Sequence, residues 1–416
     1  MTTAIPRLVA RTVEINDPGP LVDLLTQDAP MTWIRRGEGF VTLGVAATFA
    51  SSGKSRFDEA SAWWHEVVRV AAVADEVGVP GTGLISLASF AFADAPGDSV
   101  MVVPSLVVGR RGDTFWATTI GEAPSPAPEL VAQPIPAAPI DVTYADGALS
   151  GADWEGVVWE AVLQLNAGEL DKVVLARDLI ATAAEPIDVR WPLRRLGSTY
   201  DMCWTFHVDG LFGATPELLV RREKGLVTSR VLAGTIRRTG NDEHDLRLAA
   251  TLARSSKDLE EHEYAVRSVA DALAPYCSSM NVPEAPFVLH LPNVMHLATD
   301  VAGVAHDSGA SVLDLAAALH PSAAVGGTPT KVALELIAEI EGMDRGRYAG
   351  PVGWVDAHGD GEFGIALRSG LLEGNQVRLF AGCGIVAGSD PEAELAESQA
   401  KFVPVRDSLE GMRTDG

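Results

Sequence analysis

The sequence predicts a mixed α and β protein organised around antiparallel strand pairs, and three observations predict it. Two strand-like stretches are each divided by a two-residue turn, at Lys224-Gly225 and at Gly374-Asn375, and such turns send a chain back antiparallel to itself. Segments with helical spacing stand between the strands, near 58–76, 154–167, 255–273 and 389–402. The 416 residues are 47% hydrophobic and 21% charged, the usual globular balance, so a sizeable core is available. Length alone allows one large domain or two to three ordinary ones.

Taken in order, the N-terminal stretch 1–17 has no extended apolar core behind its basic residues, unlike a secretory signal, and the cytoplasm is the expected location. Strands are predicted at Gly39–Ala46, Leu84–Phe92, Met101–Val108 and Thr114–Thr119, with a helix over Asp58–Glu76. The proline-rich run 122–140 forbids helix interior and central strand and reads as a surface crossing. Trp154–Ala167 is then a helix, and Lys172–Ile180, rich in branched residues, a strand. In the first hairpin, Glu217–Glu223 against Leu226–Leu232, a two-residue loop sets residue 223 opposite 226 and Glu217 opposite Leu232, beside the Ala233-Gly234-Thr235 turn. The second, Phe363–Glu373 against Gln376–Ala381, sets Arg368 opposite Ala381 and next to Gly382.

Composition excludes several functions. No apolar run is long enough to cross a bilayer. Three distant cysteines, Cys203, Cys277 and Cys383, make neither a disulfide framework nor a zinc knuckle. The net charge of −24 repels nucleic acid and anionic membrane, so neither is expected as a partner. An anionic ligand therefore needs placed Arg, Lys, backbone amides or a metal ion.

Candidates for that task exist. Asp258 and Glu261 share a helix face, as do Glu394, Glu397 and Lys401 in the helix that Pro391 begins. Two such helices face to face make an oxygen-only cage suited to Mg²⁺, although on an acidic protein an isolated acid pair is most often a solvated face. Residues 381–388, AGCGIVAG, let backbone amides approach an anion at a helix start; the spacing is not a dinucleotide fingerprint, and 326–331, GGTPTK, lacks phosphate-loop spacing. Lys172, among apolar neighbours, is a candidate general base or an ordinary solubilising lysine. Glu217 is a candidate acid or an edge residue.

Together these segments resemble the chorismate-binding enzymes, a family that includes isochorismate, salicylate, anthranilate and aminodeoxychorismate synthases. The resemblance spans roughly residues 150–405 and its motifs stand in family order: DKVVLAR (171–177), FGATPELLVR (212–221), LAGTIRR (232–238), SSKDLEEH (255–262), HPSAAVGGTPT (320–330), RYAGPVGW (347–354), IALRSG (365–370) and AGCGIVAGSDPEAELAESQAK (381–401). Residues 33–44 and 89–111 resemble the same region of isochorismate synthases. The resemblance implies one large α+β unit, an anthranilate synthase component I-like domain with central, mainly antiparallel β-sheets flanked by helices. Residues 1–145 are the N-terminal part of that body and 146–416 its chorismate-binding catalytic region.

It also implies roles. Lys172 activates water for attack at C2 of chorismate, and Glu217 protonates the departing C4 hydroxyl. Glu261 and Glu397 bind Mg²⁺ directly, Asp258 and Glu394 through water. Tyr348, Arg368, Gly382 and Lys401 hold substrate carboxylates, while Ala233, Gly234, Thr235, His296 and Ala324 line the ring site. Lysine at 172, where ammonia-using members carry glutamine, implies water as nucleophile; Ala233, where aminodeoxychorismate synthases often carry lysine, implies no covalent amine route. No glutamine amidotransferase subunit is expected, and a monomer is. Ala324, where salicylate synthases tend to carry threonine, favours release of isochorismate, in a menaquinone or a siderophore pathway. Ser322 and Ala323 depart from the family's usual HPTPAVGG. The alternatives are a salicylate synthase, which goes on to eliminate pyruvate, and a catalytically silent chorismate-binding subunit.

Overall fold

The computed structural model describes residues 5–306 and 309–411; the side chains of Lys257 and Glu261 also lie outside the described residues. Helices pack on an extensive, continuously hydrogen-bonded network of strands. Among the described residues every strand pairing is antiparallel except that of Val9–Glu14 with Ala72–Asp75. The network crosses residue 145 in both directions: Met31–Arg35 pairs with Trp204–Val208, and Ile85–Ser89 with Pro351–Asp356.

Local chemistry sets the helix starts. Ser150 accepts from the backbone N–H of Asp153 at 3.1 Å to open the helix Gly151–Asn166, and Ser255 caps Ser256–Leu273 in the same way through Asp258. Asp390 caps Pro391–Leu409, whose first residue is the proline, as predicted. The helix Gly151–Asn166 is tied to the strand Lys172–Thr182 by the fully buried Trp154, whose Nε1 donates to the Ala176 carbonyl at 3.0 Å. Among the described residues no helix is long and apolar enough to cross a membrane.

Three local expectations need correcting. The helix over 58–76 ends at Val70, and Ala72–Asp75 is a strand, because its backbone completes the ladder of Val9–Glu14. The stretch 363–373 is two strands, Gly361–Ile365 and Ser369–Glu373. The first pairs with Leu218–Glu223 and Pro351–Asp356, the second with Leu211–Thr215 and Gln376–Ile385, so the chain changes partners between them. Arg368 makes the turn at φ 47°. In the first hairpin Glu223 does face Leu226, but the ladder stops at Arg221 opposite Thr228, and Glu217 lies before the strand. The proline-rich run 122–140 carries no helix or strand, as expected.

Candidate active site

Lys172 begins a strand held on both edges. Its successors pair along their length with Gln376–Ile385, and Lys172 itself pairs with Thr328. The second pairing needs Gly327, where a Cβ would stand 2.2 Å from the Lys172 carbonyl. Lys172 is 2% exposed and lines a cavity of about 190 Å³.

Glu217 enters the same cavity from the other side of the sequence. The Thr215 hydroxyl accepts from its N–H at 3.3 Å and donates to the Ile365 carbonyl at 2.6 Å, while its own carbonyl accepts from the Ile365 N–H at 3.1 Å. With its backbone pinned, the side chain is buried. Burial pushes its carboxyl up to about 8, against a hydrogen bond from the Leu232 backbone and the charges of Lys172, Arg368 and Lys401. A carboxyl so placed holds a proton near neutral pH.

The strand Leu226–Arg237 bulges at Gly234, with φ 77°, so that Thr235 rather than Gly234 stands opposite His296. A Cβ on Gly234 would lie 3.1 Å from that of Asp258. The missing side chain therefore seats the start of the Ser256–Leu273 helix against the cavity. His296 Nε2 faces Arg368 Nη2 at 3.3 Å, and its Nδ1 faces the Thr235 hydroxyl at 3.1 Å. A guanidinium only donates, so Nε2 accepts and the ring proton belongs on Nδ1. Burial, Arg368 and Lys401 hold this imidazole neutral, well below its ordinary value. Arg368 keeps a left-handed backbone, costly for a side-chain-bearing residue; its carbonyl accepts from the Ala214 N–H at 3.2 Å.

At the remaining wall Lys401 donates to the Gly382 carbonyl at 2.8 Å and pairs with Glu397 at 2.6 Å. Burial works against its charge, but the adjoining Glu397 carboxylate outweighs it and raises the ammonium above its ordinary value. Tyr348 stacks on Phe380, ring centroids 4.9 Å apart, and burial pushes its hydroxyl up to about 12. A Cβ on Gly382 would come within 3.1 Å of that hydroxyl.

Ligand atoms of Glu394, Glu397 and Cys383 lie within 4.8 Å of one another. Glu394 accepts from the Ser389 hydroxyl at 2.8 Å, and Asp258 lines the same cavity. Hard carboxylate oxygens at one wall fit a hard cation such as Mg²⁺. The Cys383 thiol does not compete: burial keeps it protonated, and it donates to the Glu394 carbonyl at 3.4 Å. The Glu261 side chain lies outside the described residues; its helix, three residues on from Asp258, is in place.

Lys172, Glu217, Ala233, Gly234, Thr235, His296, Ala324, Tyr348, Arg368, Gly382 and Lys401, singled out in the sequence, thus all line one cavity with Asp258, Glu394 and Glu397. Sequence reasoning missed Glu341 and Arg345. Both are almost fully buried and form a two-pronged ion pair. Arg345 also donates to the carbonyls of Val174 at 2.7 Å and Val325 at 3.0 Å, and Glu341 accepts from the Ala176 N–H at 2.8 Å. The pair clamps the Lys172 strand to the loop that carries Ala324. Its i, i+4 spacing at a helix end looks like any surface pair, and only burial distinguishes it.

The chorismate binding enzyme family matches residues 26–410. The isochorismate synthase MenF of Bacillus subtilis (strain 168) is 40% identical over 265 residues, which is 63% of this chain and 56% of that protein, less than two thirds of its length. The structure of MenF, the menaquinone-specific isochorismate synthase from Escherichia coli, superimposes with a TM-score of 0.82 at 25% identity, over 98% of this chain and 97% of that one. Anthranilate synthase component I from Streptococcus pneumoniae TIGR4 has the same fold, with a TM-score of 0.68 at 21% identity over 99% and 94% of the two chains.

Proposed function

The chain belongs to the chorismate binding enzyme family, and from that premise we propose that it converts chorismate to isochorismate in a Mg²⁺-dependent reaction. One observation carries the reading: Lys172 and Glu217, both buried, face one small cavity, and Glu217 is held in its acid form near neutral pH. A base and an acid lining one cavity are what exchange of a hydroxyl across a ring requires.

In this reading Lys172 takes a proton from water as the oxygen bonds to C2. Both ring double bonds shift, C1=C2 to C1=C6 and C5=C6 to C4=C5, the C4–O bond breaks with its electron pair, and Glu217 gives its proton to the leaving hydroxyl, so one water enters and one leaves. Lys401, Arg368 and the Tyr348 hydroxyl hold substrate carboxylates, and the neutral His296, aligned by Thr235, keeps Arg368 in place. Glu397 would hold the Mg²⁺ ion directly, with Glu394 and Asp258 acting through water, and the resemblance adds Glu261, whose side chain lies outside the described residues, as a further direct ligand. When bound, the ion supplies positive charge that offsets a substrate carboxylate within an acidic protein. Lysine at 172 favours water over ammonia as nucleophile, so no amidotransferase partner is required, and Ala233 offers no amine for a covalent route.

The test is incubation of the purified chain with chorismate, with and without Mg²⁺, following isochorismate, salicylate, anthranilate and pyruvate by chromatography. Isochorismate as sole product, dependent on Mg²⁺, supports the proposal. Salicylate with pyruvate would instead assign the second elimination step. No turnover by folded protein would sink both.

A further inference from the structure

The strand Lys172–Thr182 has one edge paired from Val173 onward with Gln376–Ile385, but its other edge meets strands only at the ends, Gly327–Thr328 and Thr143–Asp146. Between these, side chains take the place of a strand. Arg345 Nη2 donates to the Val174 carbonyl at 2.7 Å, Glu341 accepts from the Ala176 N–H at 2.8 Å, and the Trp154 indole donates to the Ala176 carbonyl at 3.0 Å. Val174 stands two residues from Lys172, on the same face of the strand, and both line the first cavity.

Arg345 also reaches the neighbouring loop. Its Nη1 donates to the Val325 carbonyl at 3.0 Å, next to Ala324, so one planar cation ties the strand that carries Lys172 to the loop beside it. Glu341 orients the guanidinium through both carboxylate oxygens. The Phe92 ring covers it, with Arg345 Cζ 4.2 Å from the ring centroid. Phe92 comes from the N-terminal part of the chain. Its N–H donates to the Gly346 carbonyl at 2.9 Å, and its carbonyl accepts from Nε2 of His320, where the Ala324 loop begins, at 2.9 Å. A buried ion pair contributes little net stability over an apolar pair of the same volume. An apolar pair, however, cannot hold the Val174 and Val325 carbonyls and the Ala176 N–H in fixed directions, as a rigid guanidinium fork and its carboxylate do.

We propose that Arg345, oriented by Glu341 and covered by Phe92, is a positioning residue that sets where the Lys172 side chain stands against the Ala324 loop. The inference rests on Lys172 acting as the base. Reaction geometry tolerates little error, since a misplacement of about 1 Å costs roughly a hundredfold in rate, and a reacting side chain keeps its place only where its neighbours lock it. Through Phe92 the N-terminal part takes a share in that lock without touching the substrate cavity.

The test compares the full chain with Arg345→Lys, which keeps the charge and loses the fork, and with Phe92→Leu, which removes the covering ring and keeps both backbone bonds. Turnover and KM for chorismate are measured together with the NMR resonance of the Lys172 side chain in isotope-labelled protein, assigned by its loss in Lys172→Ala. Arg345→Lys is expected to lower kcat by roughly a hundredfold and Phe92→Leu by roughly tenfold, each with KM within about twofold of the parent. The Lys172 resonance should move in both variants and that of Lys401 in neither. If Arg345→Lys does not fold, Phe92→Leu decides. Unchanged kcat overturns the proposal, as does a rise in KM with kcat retained, which makes Arg345 a binding residue. An unmoved Lys172 resonance overturns it even where kcat falls, because the loss is then merely structural. If the parent makes no isochorismate, the proposed reaction fails, while the resonance, which needs no turnover, still upholds or overturns the positioning of Lys172.

Discussion

The two ends of the first cavity are built on opposite electrostatic rules. At the Gly382 end charge meets charge: Lys401 pairs with Glu397, and Glu394 accepts from Ser389. Beside Glu397 the Lys401 ammonium is raised rather than lowered although it is buried. At the Glu217 end burial prevails over Lys172, Arg368 and Lys401 together, and the carboxyl keeps its proton. The difference teaches a division of labour. Paired, permanently charged groups suit gripping an anion and a cation; a desolvated, protonated acid suits giving a proton away.

Removing the proton-moving end should cost most. Lys172→Ala is expected to lower isochorismate formation by roughly a thousandfold, within the range of general-base losses, while chorismate affinity by titration calorimetry changes little. Undiminished turnover would take Lys172 out of its role. Glu217→Gln should lower kcat by roughly a hundredfold and leave KM near the parent value; a change in KM alone would make Glu217 a binding residue.

Glu217 also gives a stability signature. Its folded value, about 8, stands above the ordinary 4.5, so the fold favours the protonated form. The contribution is full below about 4.5 and is lost as pH rises towards 8. In metal-free protein, the melting temperature of the parent should therefore fall between pH 5 and 9 relative to Glu217→Gln. Parallel curves would show that burial does not hold the proton.

The gripping end should respond through the metal and KM. Glu397→Ala is expected to raise the Mg²⁺ concentration for half-maximal activity by roughly ten- to a hundredfold and to lower turnover with it; an unchanged Mg²⁺ titration would break the assignment. Smallest is Gly382→Ala. Its new methyl would stand 3.1 Å from the Tyr348 hydroxyl, so KM for chorismate should rise by a few fold with kcat retained. If kcat falls instead and KM holds, the division between the two ends is wrong.

What the amino-acid order determined by itself was local. Turn residues specified both hairpin loops, Pro391 the start of its helix, and the proline-rich run its exclusion from the sheet, because each acts through its own backbone or that of near neighbours. The motif residues were also legible, as types in a spacing. Only the tertiary structure decided the break at Arg368, the strand at 72–75 and the clamp of Glu341 and Arg345, since each follows from a partner distant in the sequence or from burial. The protonation of Glu217 belongs there too. A carboxyl carries no sign in the sequence of how dry its surroundings will be, and desolvation by distant strands turns an ordinary glutamate into an acid fit for catalysis.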